Sequence, residues 1–131
     1  MEILNFKIKI SVLWIFMAVA VSAHGIMGMM EPDLIEQLIS GEMQVGPAMS
    51  VFMALFWLIP LIMAYLSLSL KDGANRWSNM ILGIIFVVLN VYHFIEHLAQ
   101  PSVHQILIIG STVVVAVLIF WHALKWPRKV M

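Results

Sequence analysis

A chain of 131 residues that is 63% hydrophobic and 11% charged has too little interior, as a soluble globule, to hide its apolar surface. Formal net charge is zero, with no basic arm or acidic tail, which removes the electrostatic footprint of a nucleic-acid binder. Cysteine is absent, so disulfides, thiolate metal sites and cysteine nucleophiles are excluded.

In chain order, four apolar segments approach the roughly 20 residues a helix needs to cross a bilayer. They cover residues 10–30, 48–70, 77–98 and 103–126. Helices are expected because an open sheet edge cannot satisfy its backbone groups in lipid. The pattern predicts an all-α, polytopic protein: one domain over residues 1–131, four transmembrane helices in an up-down bundle, and the lipid bilayer as its partner.

The first segment follows Lys7 and Lys9 and also fits a secretory signal. Its apolar run ends in "VSA" at 21–23, a small-residue cleavage pattern that would expose His24 as a new N terminus. Apolar residues continue through Met30, however, which favours a span. The connection that follows, "EPDLIEQLISGEMQVGP", predicts a short helix over residues 34–39, capped by Asp33 and ended by Gly41. Leu34, Ile35, Leu38 and Ile39 form its apolar stripe, as suits a helix lying at the outer interface. Pro60 predicts a kink or a local gap in the second span.

Basic residues set the orientation. Lys7, Lys9, Lys71, Arg76, Lys125, Arg128 and Lys129 all fall before the first span, between the second and third, or after the fourth. The connections at 31–47 and 100–102 contain none, so both termini are expected in the cytoplasm of a cell-membrane protein. Trp14, Trp77, Trp121 and Trp126 lie towards the inner span ends, as an aromatic belt does.

The elements "NRWSNMILGII" (75–85) and "WHALKWP" (121–127) resemble those of a family of small bacterial and archaeal four-helix membrane proteins, a domain of unknown function. The likeness runs from "LWIFMA" in the first span through "IPLIMAYLSLSL" in the second. It implies a four-helix fold and its topology, and it lends no catalytic residues. In their own right, Asn75, Arg76, Trp77 and the basic residues of the last helix read as anchoring signals.

The third span carries the chemistry. Asn90, His93, Glu96 and His97 fall along one helical stripe with Gly83, and His93 and His97 are one turn apart, the spacing at which two imidazoles share a metal. His24 on the first span and His104 on the fourth reach a similar depth, whereas His122 lies near the inner face. Ionisable groups in a span normally face the bundle interior, a cavity or a partner. The packing expected here turns His24 towards Asn90 or His93.

Three readings follow. A polar clamp of His24, Asn90, His93 and Glu96 holds helices together, with His97 and His104 wet. Alternatively, His24, His93 and His97 bind a metal ion. Zinc suits imidazole, copper(I) gains from Met27, Met29, Met30, Met49 and Met53, and a b-type haem fits between His24 and His93. Finally, the cluster serves ion or proton movement, which needs a homo-oligomer, because the third span has no ionisable group between Asn90 and the inner face. Enzyme chemistry lacks support: the H-x-x-E-H pattern at 93–97 resembles an inverted zinc-protease motif, but no acidic residue follows Glu96.

Overall fold

The computed structural model describes residues 1–127; Arg128 and Lys129, counted among the basic flanks, lie outside the described residues. Five helices follow one another: α1 (Glu2–Met29), α2 (Pro32–Ser40), α3 (Pro47–Ser69), α4 (Asp72–Leu98) and α5 (Val103–Leu124). All but α2 are long and apolar enough to cross a membrane, and the chain is a multi-pass membrane protein.

Several boundaries differ from expectation for physical reasons. Helices α1 and α4 begin at Glu2 and Asp72, earlier than residues 10 and 77, because an established helix propagates through polar residues past the apolar stretch. In α2 the N-cap is Glu31 and not Asp33. Pro32 occupies the first turn, where its fixed φ suits the helix and its missing N–H is not needed. Gly41 ends α2 in the left-handed region, with φ of 77°. Helix α3 runs unbroken through the buried Pro60, whose lack of an N–H leaves the Phe56 carbonyl without its usual partner.

Packing centres on α1, which lies between α3 and α5, while α4 packs along α5 and touches α3 only thinly. Ile10, Trp14 and Met17 of α1 meet Met63 and Ala64 of α3, Phe86 of α4 and Val115, Ala116 and Ile119 of α5 in one core. Cleavage after residue 23 would therefore remove the centre of the fold. Phe86 spans the thin side, edge-on to Trp14 at 5.3 Å and stacked on Phe56 at 5.2 Å. At Gly83 a Cβ would stand 3.2 Å from the Phe120 backbone, so glycine there sets how closely α4 approaches α5.

A polar network fastens the end of the bundle nearest the N terminus. Trp14 Nε1 donates to Asn79 Oδ1 at 2.6 Å, and Asn79 Nδ2 donates to Asn75 Oδ1 at 2.7 Å. Asn75 Nδ2 in turn donates to the Ser67 carbonyl at 2.6 Å. Ser11 donates to the Ala64 carbonyl at 2.7 Å, while Lys7 donates to the Leu70 carbonyl and pairs with Asp72 at 3.3 Å. Asn75 and Trp14 thus act as interior groups, not as the anchors the sequence suggested, and Trp126 is buried as well. Trp77 and Trp121 do remain exposed. Truncating Asn79 to alanine removes the acceptor of Trp14 and a partner of Asn75. Thermal unfolding in detergent should show a loss of about 1–3 kcal/mol; an unchanged midpoint would mean that the network contributes nothing.

Candidate metal centre

At the opposite end, three helices converge on one group of imidazoles. His24 comes from the last turns of α1, His93 and His97 from consecutive turns at the end of α4, and Gln105 from the first turn of α5. The α4 residues share a face for the reason that places Asn75, Asn79, Gly83, Phe86 and Asn90 inward: spacings of three and four keep one stripe turned to the bundle.

One candidate nitrogen from each of His24, His93 and His97 lies within 4.8 Å of the other two. His24 Nε2 and His93 Nε2 are 3.0 Å apart. The three rings meet edge to face, with centroids 4.7–5.0 Å apart. All three are half-buried. A tetrahedral ion with bonds of about 2.0–2.1 Å holds its ligand nitrogens about 3.4 Å apart, so gripping one opens the 3.0 Å His24–His93 pair slightly and closes the wider separations by up to about 1.4 Å.

Gln105 decides the protonation pattern. Its Nε2 is 3.3 Å from the His24 carbonyl oxygen, and a carbonyl only accepts, so the amide nitrogen must face it. Oε1 is therefore the atom 2.6 Å from His24 Nδ1, and Nδ1 must be the donor. His24 is thereby held as the Nδ1–H tautomer, with the lone pair of Nε2 turned to His93 and the His97 ring packed edge to face beside it. A carbonyl oxygen accepting the second N–H is how ligating imidazoles are generally oriented. In the resting geometry His93 Nε2–H donates into that lone pair.

The other expected members of the cluster go elsewhere. The hydrogen bond of His24 falls on His93, and Asn90 lies deeper, its Nδ2 donating to the Phe86 carbonyl at 2.7 Å with Met17 Sδ at 3.8 Å. His104 pairs with Glu31 at 3.1 Å and sits beside Ser102 at the surface. Glu96 does not join the three converging nitrogens and lines an adjoining cavity instead. Met29, Met30, Met49 and Met53 are 55–72% exposed, facing outward and not into the imidazoles. Their thioethers surround the protein, as apolar side chains do in lipid.

Gln105 is the residue that sequence reasoning missed. It is 2% exposed and shares a stripe with Ile109, Thr112, Ala116, Ile119 and Ala123. Small and polar residues at three- and four-residue spacing along α5 were the available signal. In ¹⁵N spectra of labelled protein, His24 should appear as the Nδ1–H tautomer, and Gln105→Leu should shift it towards Nε2–H. A wild-type ring protonated at Nε2 would overturn this assignment.

Comparison with known proteins adds the chain's kinship but no chemistry. No curated protein and no solved structure matches it. The model of a family of unknown function, DUF6326, matches residues 3–131, nearly the whole chain, and the protein belongs to that family.

Proposed function

We propose that this protein is a non-enzymatic membrane metal-binding protein, holding a divalent first-row ion, zinc foremost, through His24, His93 and His97. The observation that carries this reading is the Gln105–His24 pair, which presents an unprotonated Nε2 to two further imidazoles. A mere clamp between helices has no need of a third imidazole beside an already completed His24–His93 bond. Imidazole donors suit zinc or copper(II), and the argument for copper(I) is weakened because four of the five methionines face outward and only Met27 stays half-buried. Haem is disfavoured because an axial pair must leave room for the macrocycle, whereas His24 and His93 touch at 3.0 Å.

The same proposal makes residues 1–131 one up-down four-helix domain, with both termini in the cytoplasm and the imidazoles in the outer leaflet. Support comes from Lys7, which lies beside the α3–α4 turn with Lys71 and Arg76, at the end away from His24. The α2 connection, at the other end, carries no basic residue. A transmembrane proton path through one copy is not favoured, because Phe86, Met17, Val115 and Ile119 form an apolar layer between the two polar ends.

Protein purified without a chelating tag and incubated with zinc should retain about one ion per chain after desalting. His24→Ala, His93→Ala and His97→Ala should each abolish retention, and Gln105→Leu should weaken affinity about 10–100-fold. The competing clamp reading rests on the direct His24–His93 hydrogen bond. It predicts that zinc is not retained, while His93→Leu still lowers the unfolding temperature. Because the chain lacks cysteine, single cysteines report topology directly. An impermeant thiol reagent added outside cells should label Ser40→Cys and spare Gly73→Cys, and the reverse pattern would invert the proposed orientation.

A further inference from the structure

Beside the imidazoles lies a cavity of about 270 Å³, lined by Glu31, Glu96, His97, Ala99, Gln100, Ser102 and Gln105. Two of these residues belong to the metal centre: His97 is one of the trio, and Gln105 orients His24. The cavity therefore adjoins the very position where an ion held by the three nitrogens would sit.

Among the described residues, the His, Asp and Glu side chains bring just three donors together there, those of His24, His93 and His97. Gln105 spends its amide on His24, Asn90 turns towards Phe86 and Met17, and His104 is engaged with Glu31 and Ser102. A four-coordinate ion consequently lacks one ligand, and the vestibule is large and polar enough to supply it from solvent, since a water needs only about 30 Å³ and a few polar partners. Sites with three protein ligands and one open position bind exchangeable ligands, whereas closed four-ligand sites are structural.

Building on the metal-binding reading, we infer that the tri-histidine centre is an open one, whose fourth position faces this vestibule and takes water or a small neutral donor. Glu31 and Glu96 rim the approach, accept hydrogen bonds from water on the ion, and repel anions that compete for the same position. His104 holds Glu31 in place at the rim through its 3.1 Å contact. The ligand class is thus a small, uncharged Lewis base that can donate hydrogen bonds to carboxylates.

Cobalt(II) is the probe, because its visible bands report coordination. Full-length protein in detergent, loaded with cobalt and desalted, should show the intense absorption of a tetrahedral ion. Imidazole should shift that absorption without releasing cobalt, at concentrations where azide has no effect. The double variant Glu31→Gln/Glu96→Gln should make azide effective, lowering its half-saturating concentration by about 10-fold or more. Ala99→Trp, which fills the vestibule from outside the ligand set, should keep the cobalt spectrum and lose the imidazole response. A cobalt spectrum indifferent to both donors in the wild type would show a closed centre and overturn the inference while leaving the metal-binding reading intact. Failure of cobalt to bind at all would overturn both.

Discussion

Hydrocarbon offers no hydrogen-bond partner, and that constraint orders this molecule. A polar side chain within a span is costly unless another part of the protein satisfies it. Trp14, Ser67, Asn75 and Asn79 meet that demand at one end, and His24, His93 and Gln105 at the other. Between them the core is mostly apolar, and its buried Asn90 and Thr112 close their hydrogen bonds on carbonyls of their own helices. The two polar layers fix how α1 sits against its neighbours at both ends, because sliding or rotating any one helix would strand several donors at once. Dispersion and close approach at Gly83 fill in the contact between α4 and α5.

The two layers differ in what they leave over. In the first, the Trp14, Asn79 and Asn75 side-chain donors all end on carbonyl oxygens of the protein, so the network is complete in itself. The second has a surplus of lone pairs. With the Nδ1–H of His24 bonded to Gln105 and its Nε2 accepting from His93, the third imidazole, His97, packs against both rings with no hydrogen-bond partner of its own among the described residues. Under the proposed function, a Lewis acid would take up the free lone pairs of this group, and the carboxylates lining the neighbouring cavity would add to its attraction.

Much of the architecture was legible because lipid enforces simple patterns. Four apolar runs gave four long helices, and the α2 segment showed its stop at Gly41. The starts of α1 and α4 were hidden, since hydropathy falls off before the backbone hydrogen bonds do. Of the candidate site, the stripe on α4 and the pairing of His24 with His93 could be read from spacing and depth. The addition of His97, one turn from His93, could be read the same way, but the part played by Gln105 could not. His104 and Asn90 lie at plausible depths but point to other partners, and Gln105 matters through its rotation about α5, which a list of spans does not specify. Asn75 and Trp14 misled for a related reason. Residues near a span's end serve as interfacial anchors or as interior donors, and only the packing partner distinguishes the two.

The bond between His24 and Gln105 joins residues 81 positions apart, on the first and last long helices of the chain. During synthesis α1 enters the bilayer well before α5 exists, so His24 spends that interval without the group that fixes its tautomer. The imidazole trio reaches its final protonation pattern only when the whole polypeptide has been inserted and closed. Assembly of the trio is thus tied to the completion of membrane insertion, and a truncated or half-inserted chain carries the histidines without the geometry that brings them together.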